Sequence, residues 1–580
     1  MHEQIDAKRR APAVPGLAML RTYDRGWLTS DVVAGLVLTT LLVPQGMAYA
    51  ELAGLPAITG LYTSILCLLG YAAFGPSRVL VLGPDSSLGP MIAAAILPLI
   101  AANGDPGRAV ALASALGLLV GAIATVGAVA RLGFIADLLS LPTMIGYMNG
   151  LAVTILIGQL PKLFGFSIDA SGLIDEARAF VNGVQDGKTV GAALAVGVLA
   201  LVVMEGLSRF FPKLPSVLVA VVLSIVVTNA FDLQQHGVSV VGSLPQGFPP
   251  LTVPDVHLSD IPPLTAAAFG IVLVSLADTI ATASAFAGRR GEDVDGNQEM
   301  LAVGAANIAA GFFQGFPVST SGSRTAVATN AGARSQVTGI VGAIAIATML
   351  VAVPGLLRDL PNATLAAVVI SASLSLADIP GTMRLWKQSR TEFAVSIAAF
   401  LGVAILGVLP GIVVAVGLSV ANVFRRSWWP YQTELGRVNG IPGYHDVRSY
   451  PDAELIPGAV IFRFDAPLFF ANAHTFRDQV MRLASAEPRP RWIIVAAEPI
   501  TDIDPTAADV LQSLDERINV VGVSLVFAEM KDPVRHKIER YELTKTIDPR
   551  HFFPTLEAAV AAFRAEGGGA EQPGIEEVTT

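Results

Sequence analysis

The chain has 580 residues, 53% hydrophobic and only 15% charged, with a formal net charge of −9. Soluble domains carry about 25% charged residues, so an all-soluble protein is excluded, and the acidic balance without a basic patch excludes nucleic acid as a partner. Cys67 is the single cysteine, which excludes an intramolecular disulfide and a zinc-thiolate cluster.

Charge is unevenly placed along the chain. Apolar runs dominate from Asp31 to Phe424, and the charge density of a soluble protein returns from Arg437. The pattern predicts a cytoplasmic segment over 1–30, a transmembrane domain over 31–426, a cytoplasmic domain over 440–565 and a disordered Gly/Glu-rich tail over 566–580. The polar start, Met1–Arg10, lacks the apolar core of a cleavable signal peptide, so the first span is expected to act as its own signal.

A membrane helix needs roughly 20 mostly apolar residues. Spans are expected near 31–52, 56–74, 85–102, 108–129, 136–158, 190–210, 215–230, 263–287, 297–314, 321–333, 336–354, 362–376, 391–408 and 410–425, about fourteen by the length rule. Lys and Arg orient them. With the N-terminus inside, cytoplasmic loops hold Arg78, Arg131, Arg209, Lys213, Arg289, Arg290, Arg334, Arg384, Lys387 and Arg390. Lys8, Arg9, Arg10, Arg21 and Arg25 precede the first span, and Arg425 and Arg426 follow the last. The outer loops hold only Arg108, Lys162, Arg178, Lys188 and Arg358. Both termini are therefore expected in the cytoplasm.

Two segments make poor ordinary spans. VLVLGPDSSLGP (Val79–Pro90) and GFPVSTSGSRTAV (Gly315–Val327) each begin extended and apolar, meet a Gly-Pro or Phe-Pro break, then run through serines into a short apolar helix. Proline disfavours helix just before it, and Ser or Asp caps one well. Each reads as a short strand turning into a half-helix inside the membrane. A half-helix N-terminus presents unpaired N–H groups and the positive end of a dipole. Two such ends facing one cavity make an anion site, and irregular backbone at membrane depth is tolerated where it lines a cavity or is buried. The breaks fall in the third and tenth spans, equivalent places in a seven-plus-seven inverted repeat.

Polar residues within the spans sharpen this reading. Arg324 lies just inside the second half-helix, where insertion costs at least about 2.5–3.5 kcal/mol. Beside Ser321 and Ser323 it reads as an anion ligand; otherwise it pairs with Asp278 or Asp85. Asp278 lies mid-span with Thr282 one turn on. That pair can coordinate Na+ or carry a proton, or the Asp is a structural hydrogen-bonding group. Asp85 reads as an N-cap or as a carboxyl protonated when anion binds. Gln45 and Tyr49, one turn apart on the kinked first span, offer neutral donors or pack helix on helix. No P-loop or dinucleotide fingerprint is present, so neither an enzyme activity, a cofactor nor ATP drive is expected.

PQGMAYAELAGLPAITGLY (Pro44–Tyr62), the Gly83-Pro84 turn and NQEMLAVGAANIAAGFFQGFPVSTSGSRTAV (Asn297–Val327) together resemble the sulfate permease (SulP) family of anion transporters. The resemblance implies an α-helical polytopic fold of about fourteen helices in an inverted repeat, with core and gate domains, an elevator-like motion and a homodimer. It places the anion between the third and tenth helices. By motif, it carries substrate roles to Gln45, Tyr49, Asp85, Ser86, Ser87, Ser321, Gly322, Ser323 and Arg324. It carries the coupling role to Asp278, with Thr282, for H+ or Na+. Many relatives have Glu in place of Asp278; bicarbonate-carrying relatives have Asp with a Thr one turn on, and use them for Na+. Many have a small or hydrophobic residue in place of Asp85.

From Pro457 the pattern becomes α/β. VIFRF (Val460–Phe464), WIIVAA (Trp492–Ala497) and VSLVFA (Val523–Ala528) read as strands, with helices over 471–484 and 506–518. This resembles a STAS domain. Where regulatory relatives have a phosphorylatable Ser after the loop Asp504, this chain has Pro505, so Thr506 reads as an N-cap and the loop as a weak regulatory candidate. The leading function is secondary active transport of a small anion, sulfate by family default, at the cell membrane. Na+/bicarbonate symport and C4-dicarboxylate transport stay open, as do an anion channel and a membrane sensor acting through the STAS domain.

Overall fold

The computed structural model of the chain describes residues 14–100, 104–134, 139–168, 170, 172–211, 214–288 and 294–567. Lys8, Arg9, Arg10, Lys213, Arg289, Arg290 and the tail from 568 lie outside them. The chain divides at Ser419/Val420 into two units, each described by itself.

Within the first unit a helix stands at every place where the apolar runs predict a span. In chain order these are α1 (Leu28–Leu52), α2 (Ala57–Phe74), α3 (Gly89–Ile96), α4 (Pro106–Val129), α5 (Leu141–Leu163), α6 (Gly191–Phe210), α7 (Ser216–Ala230), α8 (Ile261–Ala287), α9 (Gly296–Gly311), α10 (Gly322–Asn330), α11 (Val337–Ala352), α12 (Asn362–Leu376), α13 (Arg390–Leu406) and α14 (Val408–Trp428), the last running into the second unit. Among the described residues, 8 helical stretches are long and apolar enough to cross a membrane, and α3, α7 and α11 are shorter apolar helices. Two polar amphipathic helices that hydropathy does not predict, Leu173–Gln185 and Ile379–Gln388, connect spans.

The helices sort into two packing groups. α9 packs on α4 and α2, α11 on α1 and α2, and α8 on α4. In the other group α13 and α12 pack on α5, and α6 on α7 and α12. Small residues set the closest approaches, as expected where lipid supplies no hydrophobic drive between helices. A Cβ on Gly60 would sit 1.9 Å from the carbonyl oxygen of Gly46, so α1 and α2 touch backbone to backbone.

The two broken segments fold as their sequence directs. β1 (Leu82–Gly83) and β2 (Ser319–Thr320) pair antiparallel, Leu82 opposite Thr320 and Gly83 opposite Ser319. Each then turns into its half-helix, α3 or α10. This small ladder satisfies backbone groups of four buried residues. Asp31, fully buried at the start of α1, holds the segment after α10. Its carboxylate accepts from the Arg334 and Ser335 backbone N–H groups (2.7 and 3.2 Å) and from the hydroxyls of Ser335 (2.7 Å), Thr338 (3.0 Å) and Tyr23 (3.1 Å).

The second unit carries a sheet of order β4-β3-β5-β6-β7-β8, from β3 (Gln432–Arg437), β4 (Tyr444–Asp446), β5 (Ala459–Phe464), β6 (Trp492–Ala496), β7 (Ser524–Ala528) and β8 (Phe552–Phe553). β5 to β8 run parallel; β3 and β4 add an antiparallel edge. Helices α15 (Ala473–Ala484) and α16 (Pro505–Val520) bury Phe476, Leu511 and Leu514 with Phe462 and Phe464 on one face. A C-terminal helix (Leu556–Gly567) buries Val560 and Phe563 against Trp492 and Ile494 on the other. The sheet takes in β3, ahead of the start expected at 440.

Replacing Asp31 with Ala strands several buried donors at once. A loss of about 3 kcal/mol is expected, read as a fall in the thermal midpoint of the purified protein, with Asp31→Asn losing less.

Candidate functional site: two half-helices around a buried arginine

The site is built on the β1–β2 ladder. Arg324, in the first turn of α10, is 1% exposed. Its Nη1 donates to the Pro84 carbonyl oxygen at the end of β1. Its Nη2 stands 3.6 Å from Asp85 Oδ1, an ionic contact too long for a hydrogen bond, and neither Nε nor Nη2 has a hydrogen-bond acceptor. The ion-pair alternative of the sequence is thus met by Asp85 rather than Asp278, yet it leaves two guanidinium nitrogens without a hydrogen-bond acceptor. Gly83 makes room for this arrangement: a Cβ there would lie 2.9 Å from Nη1.

Asp85 also organises the start of α3. Its Oδ2 accepts from the Ser87 backbone N–H (3.0 Å) and hydroxyl (2.6 Å). The same hydroxyl reaches Asp278 Oδ2 on α8 at 3.3 Å. Ser87 has one hydroxyl proton to give, so it favours one carboxylate at a time. Thr282, one turn beyond Asp278, lies near the first residue of α10: a Cβ on Gly322 would be 3.8 Å from its hydroxyl oxygen. Helix α8 therefore touches both half-helix starts.

The remaining sequence candidates converge here to different degrees. Tyr49 on α1 is 4% exposed. Gln45 lies one turn earlier, partly exposed. Ser321 is the N-cap of α10, accepting from the Arg324 backbone N–H at 3.4 Å, and it contacts the Ser323 hydroxyl at 3.1 Å. Gly322 and Ser323 are exposed, so the positive end of α10 is open to a small solute. Two supports escaped the sequence reading. Asn307 on α9 accepts from the Val318 backbone N–H at 3.0 Å, and Thr63 on α2 accepts from that of Phe316 at 3.2 Å; both fix the strand entering β2. Asn307 carried a legible signal, a polar side chain inside an apolar span.

In the second unit the cap of α16 is Asp504, not Thr506. Asp504 accepts from the backbone N–H groups of Ala507 (2.7 Å) and Phe470 (2.9 Å), while Thr506 is exposed. The reason is Pro505: proline favours the first helical position, which makes the preceding residue the cap.

Paired half-helices meeting over a buried arginine are the geometry of a membrane protein that handles small anions. Residues 28–399 match the sulfate permease family and residues 450–559 the STAS domain. The chain belongs to the sulfate permease family and is a multi-pass membrane protein that transports anions rather than an enzyme. A probable sulfate transporter of Mycobacterium tuberculosis is 40% identical over 551 residues, 95% of this chain and 98% of that one. Sulfate transporter 3.1 of Arabidopsis thaliana is 30% identical over 540 residues, 89% and 82% of the two chains. The murine anion transporter solute carrier 26 family member A9, in its inward-facing state, is similar over 97% of this chain and 96% of that one, with TM-score 0.87 and 25% identity. The transmembrane domain of a cyanobacterial bicarbonate transporter shares the fold, with TM-score 0.60, 21% identity and coverage of 68% and 98%.

Gly83→Ala forces the guanidinium from its seat. Binding of a small anion, probed with labelled sulfate, should weaken at least about tenfold, or 1.4 kcal/mol, while circular dichroism keeps its helical signal.

Proposed function

We propose that this chain is a cation-coupled sulfate transporter working by alternating access, with sulfate held between the starts of α3 and α10 on Arg324. The observation that carries the reading is the guanidinium itself, buried at 1% exposure with Nε and Nη2 lacking hydrogen-bond acceptors. Buried donors of a charged group are costly to leave unpaired. A tetrahedral oxyanion supplies acceptors in the fork geometry that guanidinium prefers. The names of the relatives in Mycobacterium and Arabidopsis support sulfate as that anion.

Charge balance supports the coupling. The site holds one cation, Arg324, and two carboxylates, Asp85 and Asp278, linked through Ser87. Two helix N-termini add about half a positive charge each, which leaves the empty site near neutral. A dianion would then enter against two nearby carboxylates in a medium of low dielectric. H+ or Na+ at Asp278, with Thr282 beside it, removes one of these charges. Ser87 is then free to serve Asp85 alone, and Arg324 turns its unused nitrogens to the anion. Cation and anion thus favour each other's binding, which is what symport requires. Gln45, Tyr49, Ser86, Ser321, Gly322 and Ser323 complete the wall on this reading. On this reading the protein works in the cell membrane as a homodimer with both termini cytoplasmic. The STAS domain, with Asp504 and Thr506 in its loop, serves assembly or regulation.

Arg324→Ala should weaken sulfate binding by about 3 kcal/mol, roughly 100-fold, as measured by binding of labelled sulfate to purified protein. Retained affinity removes Arg324 from the site. Asp85→Asn, which takes away a competing negative charge, should tighten sulfate binding by about tenfold; weaker binding in that variant would mean that Asp85 serves the anion directly. Asp278→Asn should abolish cation-dependent uptake into proteoliposomes, and wild-type dependence there would discard Asp278 as the coupling group.

A further inference from the structure

The helix Ile379–Gln388 joins two spans almost without a linker. Ala377 and Asp378 lead into it from α12, and Ser389 leads out to α13. It therefore lies where both spans leave the bilayer. Its surface divides into three rows. Gly381 and Leu385, one turn apart, are buried on the protein side. Asn149 on α5 fixes that side, donating to the Thr382 hydroxyl at 2.9 Å and accepting from the Asp378 backbone N–H at 2.7 Å. Ile379, Met383 and Trp386, at the i, i+4, i+7 spacing of one helix face, are 59, 60 and 55% exposed. Arg384 and Lys387, one turn apart and both exposed, form the third row, and among the described residues neither is paired with a carboxylate. Arg390, at the start of α13, stacks over the Trp386 ring at 5.8 Å, and Trp386 meets Phe393 edge to face at 4.8 Å. A third cation is thus held beside the exposed apolar row.

Large apolar side chains exposed in a row do not suit water. With cations beside them they suit the bilayer boundary, where the apolar row sinks among acyl chains and the cations reach phosphates. The other connecting helix, Leu173–Gln185, is the contrast. It too exposes Ile174, Val181 and Val184, but it carries Asp175 and Glu176, and its Arg178 pairs with Asp175 at 3.4 Å. Surplus positive charge accompanies the apolar row in one helix and not in the other. We propose that the helix Ile379–Gln388 is a binding surface for anionic phospholipid, with Ile379, Met383 and Trp386 among the acyl chains and Arg384, Lys387 and Arg390 on the phosphate. Asn149 ties this helix to α5, which packs on α12 and α13. A lipid bound there anchors that packing group at the membrane surface.

The test places the purified full-length protein in phosphatidylcholine nanodiscs with increasing phosphatidylglycerol and reads the thermal midpoint. The wild-type midpoint should rise with phosphatidylglycerol. In the double variant Arg384→Gln/Lys387→Gln the half-saturating fraction of that lipid should increase at least about tenfold, while the midpoint in pure phosphatidylcholine stays at the wild-type value. Arg384→Lys, which keeps the charge, should behave as wild type. A wild-type midpoint indifferent to phosphatidylglycerol, or an unaltered lipid dependence in the double variant, overturns the proposal. So does a lower midpoint of the double variant in pure phosphatidylcholine, because the two cations would then support the fold itself. Soluble glycerol phosphate that reproduces the rise overturns it too, because the ligand would be a free anion. A second arm uses brominated lipid, which quenches tryptophans that lie among acyl chains. Trp386→Phe should remove part of the quenching seen in the wild type. If quenching is the same without Trp386, protein rather than lipid covers the apolar row, and the proposal falls.

Discussion

A guanidinium at membrane depth has to be held by something other than water. Arg324 is held by one carbonyl oxygen at the end of β1, faced by one carboxylate at 3.6 Å, and left with two nitrogens lacking acceptors. Much of the surrounding structure follows from keeping it there. The β1–β2 ladder satisfies the broken backbone just ahead of both half-helices. Asn307 and Thr63 brace the strand that leads in, and Asp31 braces the segment that leads out. Gly83 leaves the space that the guanidinium fills. A buried arginine supported this thoroughly is nonetheless left incompletely satisfied, which is the basis of the proposed ligand role.

On the proposed reading, the two carboxylates are what a positive site needs in order to work as a carrier. A site with Arg324 and two helix ends would trap a dianion. On the same proposed reading, Asp85 and Asp278 lower that affinity until a cation arrives, so binding energy becomes conditional on the coupling ion. Ser87, 2.6 Å from one carboxylate and 3.3 Å from the other, is the physical link. Its single proton ties the state of α8 to that of α3.

Much of this was legible in the sequence, because membrane insertion constrains sequences strongly. Each apolar run became a helix, and Gly-Pro and Phe-Pro breaks followed by serines became strand and half-helix. What was not legible depends on distant parts of the chain. Asp31 reads as an interfacial charge at a span start, and only the fold brings it to Ser335. The connecting helices Leu173–Gln185 and Ile379–Gln388 lack the apolar length that reveals a span. β3, QTELGR, is too polar to read as a strand. The cap of α16 moved to Asp504 because Pro505 took the first helical position.

The account is tested most directly by accumulation of labelled sulfate in proteoliposomes under an inward Na+ gradient, an inward proton gradient, or neither. It predicts accumulation above equilibrium with one cation gradient and only equilibration without. Equal uptake in all three conditions would contradict it, because the two carboxylates beside Arg324 would then have no cation to answer to.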